Sequence, residues 1–148
     1  MNKSLKIFLI IIAFVLTFAW ILILYLGIMV KTENKILKGY YKSVEHWDTE
    51  GFRDYLDYCK YFYKDDSKFR INEYYQKVTK ESIEEINNRF KEIERWMKTC
   101  NRLDEYDFDY SKISIGDYYC LDGESYDNYT IYFFDNESNI LYYAHINT

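Results

Sequence analysis

The first pattern in the chain is an uncharged apolar run from Ile7 to Val30, in which Thr17 is the only clearly polar side chain. As an α-helix these residues would extend about 36 Å, because each residue adds about 1.5 Å. The hydrocarbon core of a bilayer is roughly 30 Å thick. The run therefore predicts a single transmembrane helix over residues 7–30. Lys6 and Lys31 bracket it, and a basic tail of residues 1–6 precedes it.

A cleaved signal peptide shares this basic start, but its apolar region usually runs about 7–15 residues and ends at a small-residue cleavage site. The run here is longer, and its exit through residues 27–31 offers no such site. We therefore expect an uncleaved, single-pass anchor in the cell membrane, with residues 31–148 forming a tethered globular domain. Lysines flank both ends of the run, so the positive-inside rule hardly distinguishes the two possible orientations of the helix in the membrane. The short basic tail favours a domain outside the cytoplasm.

Two stretches with helical spacing follow the apolar run, and both spacings predict amphipathic helices. In the first, residues 35–47, the apolar positions are Ile36, Leu37, Tyr40, Tyr41, Val44 and Trp47. The second follows Asp48, which suits an N-cap, and its apolar positions are Phe52, Tyr55, Leu56, Cys59 and Phe62. After a polar break, partial alternation from Phe69 to Tyr75 predicts a short strand.

The most regular helical pattern predicts a helix over residues 80–99. Thr79 can cap it, and Ser82 with Glu85 offers an alternative capping box. An apolar stripe and charged opposite faces are typical of a helix packed on a core. The stripe consists of Ile83, Ile86, Phe90, Ile93 and Met97, with Trp96 beside it.

Beyond Arg102 the period changes to two, which is typical of strands. Asp107, Asp109 and Ser111 alternate with Phe108, Tyr110 and Lys112. Three further strands are predicted, at Tyr118–Leu121, Tyr129–Phe134 and Ile140–Ile146, and Asp122-Gly123 marks a turn. Residues 116–146 therefore predict an antiparallel meander.

The order of helices first and strands last predicts an α+β domain in which helix 80–99 packs across an antiparallel sheet. An NTF2-like or cystatin-like cone is one shape compatible with this order. Such an analogy concerns the fold alone and carries no function.

Charge and composition narrow the classes of partner. Residues 31–148 hold 17 basic and 24 acidic residues, a net charge of −7. Nucleic acid is therefore a poor partner, because phosphate contacts need Lys and Arg. The 18 Tyr and 10 Phe argue against disorder. Abundant Lys, Asn, Ile and Tyr are typical of an AT-rich genome, which favours a bacterial source.

Cysteines and histidines form no pattern that identifies a reaction. Cys59, Cys100 and Cys120 are too few for a disulfide framework and lack the CxxC spacing of zinc sites. His46 and His145 lie in no metal or catalytic spacing. A Cys–His dyad could assemble in space, but the sequence selects no pair.

Carboxylates cluster at Asp104, Glu105, Asp107 and Asp109, and again at Asp122, Glu124 and Asp127. An EF-hand loop beginning at Asp107 fails, because Lys112 and Tyr118 occupy its glycine and terminal glutamate positions. We interpret the first cluster as a solvated strand face. The sequence thus predicts no catalytic, metal-binding or cofactor-binding residue and no cofactor.

Aromatic residues on both faces of the meander give the one functional hypothesis. Alternation places one of Tyr132 and Phe133 inside and the other outside, and the same holds for Tyr142 and Tyr143. These four residues are the predicted partner-binding positions, because surface Tyr is common at interfaces. The favoured function is a non-enzymatic, membrane-anchored module that binds a protein or an envelope component; immunity to a secreted toxin is one version. The alternatives are a tethered enzyme with a site built from dispersed residues and an accessory subunit that contacts its complex through the span.

Overall fold

A computed structural model describes residues 3–47, 55–123, 125 and 127–147 of the chain. The chain divides into two compact units, residues 1–38 and 39–148. The first unit contains α1 (Lys3–Ile36). Every side chain from Ile11 to Tyr25 on this helix is exposed. Within the described part of the chain, no helix combines the length and apolar character needed to cross a membrane. The transmembrane prediction for residues 7–30 is therefore not confirmed and stays a prediction.

The second unit is built on a six-stranded sheet in which every neighbouring pair is antiparallel. Its strand order is β1-β2-β6-β5-β4-β3. The strands are β1 (Lys42–Trp47), β2 (Tyr55–Phe62), β3 (Gln76–Lys77), β4 (Tyr118–Asp122), β5 (Asn128–Asp135) and β6 (Ile140–Asn147). The helices described in this unit are α2 (Ser67–Arg70), α3 (Lys80–Thr99) and two short 3-10 turns at Leu103–Glu105 and Tyr110–Lys112. The predicted α+β class is confirmed.

The helix α3 packs on one face of the sheet, as predicted. Thr79 is its N-cap and accepts a hydrogen bond from the backbone N–H of Ser82, whose hydroxyl accepts one from the Thr79 N–H in return. The predicted stripe is confirmed, since four of its members are fully buried: Ile86, Phe90, Ile93 and Met97. They join strand residues such as Phe133 and Ile146 in one core cluster.

The opposite face of the sheet is partly covered by the segment around α2. The ring of Phe69 stacks on Phe134 of β5 with centroids 3.8 Å apart, and it meets Tyr63 and Tyr75 edge-on. Phe69 is only 2% exposed. The sheet is therefore buried on both faces at this end, which explains why β5 reads as a nearly continuous aromatic run.

Both helices predicted before residue 63 are wrong. Where a helix was expected over residues 35–47, α1 ends at Ile36 and the strand β1 follows. The predicted second helix is the strand β2, which pairs with β1 on one side and β6 on the other. The proposed cap Asp48 and the helix position Phe52 lie outside the described residues. Ladder hydrogen bonds on both sides of β2 outweigh its local helical spacing.

Two smaller predictions are also wrong, and the C-terminal meander is confirmed. The expected strand from Phe69 to Tyr75 is instead the end of α2 and the turns that follow it. The expected alternation from Asp107 to Lys112 is extended coil and a 3-10 turn, in which the carboxylate of Asp109 accepts the N–H of Ser111. The strands β4, β5 and β6 reproduce the predicted meander to within about two residues.

Candidate functional site

The four predicted partner-binding residues divide between the two faces of the sheet. Phe133 and Tyr142 belong to the core cluster under α3, where they are 0% and 4% exposed. Tyr132 and Tyr143 point to the opposite face, because neighbouring residues of a strand alternate. Tyr132 is buried, whereas Tyr143 is half-buried and reaches solvent. Of the four, Tyr143 is the position that a partner can contact directly.

Tyr143 belongs to a row of rings that crosses this face, which we call the aromatic face. From the β1 end towards the centre of the sheet, the row consists of Tyr40, Tyr61, Tyr143 and Tyr132. Successive ring centroids are 4.8, 6.3 and 5.2 Å apart. These spacings are those of edge-to-face and tilted aromatic pairs, which restrain one another's orientation. Tyr40, at the end of the row, is 44% exposed.

A polar patch continues the aromatic face along β2 and β6. The phenol of Tyr55 donates a 2.5 Å hydrogen bond to the Asp57 carboxylate. The same ring packs edge-on against His145 at 4.9 Å, and Nδ1 of His145 is 2.7 Å from the Thr130 hydroxyl. All four side chains are half-buried. The patch thus offers a carboxylate and an imidazole beside the row of rings.

Four residues of this face and its polar patch are not predicted from the sequence: Tyr40, Tyr55, Tyr61 and His145. Tyr55 and Tyr61 lie in the segment whose apolar spacing predicts a helix, and in a helix they would not share a sheet face with Tyr143. The density of aromatic residues from residue 55 to residue 63 was the available signal, since aromatic side chains favour strands.

A second polar cluster lies on the α3 side of the domain. The carboxylate of Asp107 accepts a 3.0 Å hydrogen bond from the Tyr58 phenol and pairs with the Lys60 ammonium. Nearby, the Tyr110 phenol donates to the Glu94 carboxylate at 2.6 Å and lies 3.3 Å from the phenol oxygen of Tyr106. The contacts with Tyr58, Lys60 and Glu94 join the segment after α3 to the sheet and to α3.

The pKa values of this cluster indicate a structural role. Burial raises the pKa of Tyr58 and Tyr106 well above the usual range for tyrosine, and the Asp107 carboxylate raises that of Tyr58 further. Phenols in this state stay protonated and donate hydrogen bonds, so they are poorly suited to proton transfer near neutral pH. The hydrogen bonds and the ion pair of this cluster hold residues 106–113 against the core.

The other candidate chemistry is dispersed through the domain. Cys59 and Cys120 are buried thiols, Cys100 is an exposed one, and no two of the three are bonded. Burial raises the pKa of Cys120 to about 11, which disfavours the reactive thiolate. Among the described residues, no group of three or more His, Cys, Asp or Glu side chains could hold a metal ion.

The first predicted acidic cluster also has local roles. Glu105 pairs with Arg102, and Asp109 caps the turn that begins at Tyr110. Glu124 of the second cluster lies outside the described residues. The aromatic face is therefore the strongest candidate for a functional surface.

Comparison with known proteins adds no constraint on this choice. No protein-family model matches the chain, and neither a curated protein nor a solved structure shows significant similarity to it.

Proposed function

We propose that this protein is a membrane-anchored, non-enzymatic interaction module whose aromatic face binds a protein partner. The observation that carries the proposal is the row of mutually restrained tyrosine rings on one face of the sheet. The proposal has two separable parts, an anchor in the first unit and a binding face in the second.

The anchor part is supported by the surface of α1. Large apolar side chains on every side of this helix are 39–75% exposed between Ile11 and Tyr25, and Phe14 is the most exposed of them. The hydroxyl of Thr17 donates to the Ala13 carbonyl at 2.8 Å, so its polar group is satisfied within the helix. Lipid chains are the natural covering for such a surface, because contiguous apolar patches of this size are rare on proteins in water.

The binding part is supported by the chemistry of the aromatic face. Tyr combines a large apolar ring with a polar tip and few rotatable bonds, so it loses little conformational entropy on binding. Tyr143 and Tyr61 are half-buried, and their rings are already oriented by their neighbours. The carboxylate of Asp57 at the edge of the row adds a site for a donor or a cation. A protein surface carrying apolar and basic side chains has the matching chemistry.

Carbonate extraction of membranes from cells expressing the full chain tests the anchor. We expect the protein to remain in the membrane pellet, because an inserted helix resists alkaline extraction. A variant with Leu16→Glu and Ile23→Glu should move to the supernatant, since charges at the centre of a span oppose insertion. Quantitative release of the unaltered protein would overturn the anchor.

Site-specific photocrosslinking in membranes tests the binding face. A photoreactive phenylalanine analogue at position 143 should give discrete adducts with one protein, and the same analogue at the exposed position 98 of α3 should not. Tyr61→Ala should reduce the adducts from position 143 without lowering the melting temperature by more than a few degrees. Adducts formed from position 20 of α1 but not from 143 would favour the accessory-subunit alternative instead.

A further inference from the structure

A polar cleft lies at the β3–β4 end of the sheet, away from the row of rings. Its volume is about 350 Å3, within the range of roughly 300–1,000 Å3 typical of small-molecule sites. Its lining combines two cations, a carboxylate, a side-chain amide and an aromatic ring: Arg70, Lys77, Asp66, Asn136 and Tyr118, with Gly116 completing the wall. Neither the anchor nor the aromatic face uses these residues.

The two cations are held by neighbours inside the cleft. Nε of Arg70 donates a 2.7 Å hydrogen bond to the Asp66 carboxylate, which orients the guanidinium. The ammonium of Lys77 lies 6.0 Å from the centroid of the Tyr118 ring. Two cations converging on one cleft favour an anionic group such as a phosphate. The domain as a whole is acidic, so this local arrangement does not follow from its net charge.

The side chain of Asn136 lines the cleft and is held by a hydrogen bond to its wall. The side-chain amide of Asn136 donates to the Gly116 carbonyl at 2.7 Å, which fixes its orientation. Its Oδ1 is buried, so this atom is not accessible to a ligand in the cleft. The carboxylate of Asp66 attracts a positive group to the same cleft.

Exposed isoleucines adjoin the cleft on two loops. Ile71, directly after Arg70, is 85% exposed, and Ile115, directly before Gly116, is 62% exposed. They are the most exposed large aliphatic side chains described in residues 39–147. Apolar loop tips beside cationic groups are typical of surfaces that insert into the lipid–water interface.

We propose that this cleft binds the headgroup of a zwitterionic phospholipid that carries a primary amine. Arg70 and Lys77 bind the phosphodiester, and the carboxylate of Asp66 receives the ammonium. A quaternary amine has no N–H to donate to the Asp66 carboxylate, so an ethanolamine-type headgroup is favoured over a choline-type one. Ile71 and Ile115 contact the acyl region. That the headgroup belongs to a membrane lipid rests on the proposed anchor. That the cleft binds a phosphodiester with a primary amine rests on its lining residues alone.

The first test uses soluble headgroups and the full chain in micelles of a detergent without phosphate. Glycerophosphoethanolamine should shift the amide NMR signals of Lys77 and Gly116 saturably, at a concentration at least tenfold lower than glycerophosphocholine or inorganic phosphate. Arg70→Gln and Lys77→Gln should each weaken this response by about tenfold, whereas Lys98→Gln should not. Equal responses to all three probes, a response to phosphate alone, or no saturable shift would overturn the proposal.

The second test separates lipid docking from headgroup binding. In nanodiscs with spin-labelled lipids, methyl signals of Ile71 and Ile115 should broaden more with ethanolamine lipids than with choline lipids. Replacing both isoleucines with serine should leave the response to the soluble headgroup unchanged. Failure in nanodiscs with success in solution would reject the lipid source. The soluble-headgroup test does not involve α1. Its result is therefore independent of the carbonate extraction that tests the anchor.

Discussion

The phenol of Tyr58 in β2 donates a 3.0 Å hydrogen bond to Oδ1 of Asp107, a residue 49 positions further along the chain. The ammonium of Lys60, two positions along the same strand, pairs with the other carboxylate oxygen. One carboxylate therefore connects the segment after α3 to β2. This segment carries Phe108, whose ring stacks on Phe90 of α3 at 3.8 Å.

Removing this carboxylate should loosen the segment. We expect Asp107→Ala to lower the free energy of unfolding by about 1–3 kcal/mol, because the Tyr58 phenol loses its acceptor and the Lys60 ammonium, whose side chain is only 14% exposed, loses its counter-ion. Asp107→Asn should cost less, since an amide oxygen still accepts from Tyr58. Denaturant unfolding of the full chain in detergent micelles measures both. Asp104→Asn, at an exposed neighbouring position, should change stability by less than about 0.5 kcal/mol.

The segment around α2 covers the opposite face of the sheet, and its packing there gives a second prediction. Phe69→Ala should destabilise the second unit by about 3–5 kcal/mol, because Phe69 is fully packed between Phe134, Tyr63 and Tyr75. Phe69→Leu should recover much of this loss. Hydrogen exchange of β5 and β6 amides would locate the effect. Similar stability of the alanine variant and the natural chain would show that α2 does not cover this face.

The helices and strands that the sequence predicted well have one dominant period of hydrophobic residues and a clear boundary. In α3 the stripe from Ile86 to Met97 repeats every three or four residues, and Thr79 marks its start. In β5 and β6 the high density of aromatic and β-branched residues favours strands on either face. Local preference and tertiary contacts agree in these segments, so the pattern alone suffices.

The segment that became β2 was mispredicted because both of its faces are partly apolar. Leu56 and Tyr58 face the core under α3, while Cys59 and Tyr61 belong to the opposite face. With apolar residues on both faces the alternation disappears, and a spacing of three and four remains by coincidence. Of the aromatic face, the sequence predicts Tyr132 and Tyr143; Tyr61 comes from this mispredicted strand, and Tyr40 precedes β1.

Two glycines with the same backbone conformation allow the steric cost of a side chain at the β4–β5 turn to be separated from the cost of a positive φ angle. Gly123 and Gly116 have nearly equal positive φ angles of 98° and 99°. A Cβ at residue 123 would lie 2.6 Å from the carbonyl oxygen of Asn128 and 2.9 Å from the Cα of Tyr129, whereas at residue 116 it would meet nothing within 4 Å. Both alanine variants carry the cost of a left-handed backbone, roughly 1–2 kcal/mol.

Gly123→Ala must in addition displace backbone, so we expect it to be the more destabilising of the two by at least about 1 kcal/mol. Thermal unfolding followed by circular dichroism compares them under identical conditions. Equal melting temperatures for the two variants would contradict the close approach between residue 123 and the start of β5.

The buried tyrosines predict a loss of stability at alkaline pH. Burial, with the nearby Asp107 carboxylate, raises the pKa of Tyr142 to about 12, whereas a tyrosine in the unfolded chain titrates near 10. Between these values the folded protein holds a proton that the unfolded chain has released. The free energy of unfolding therefore falls as pH rises, by up to roughly 1.4 kcal/mol per pH unit for each such group.

Denaturant unfolding of the full chain at successive pH values from 9 to 12, with tyrosinate absorbance recorded in parallel, tests this dependence. Tyr142→Phe removes one titrating group from the core cluster, so its decline of stability with pH should be shallower than that of the natural chain. A slope unaffected by Tyr142→Phe would show that the Tyr142 phenol ionises as readily in the folded protein as in the unfolded chain.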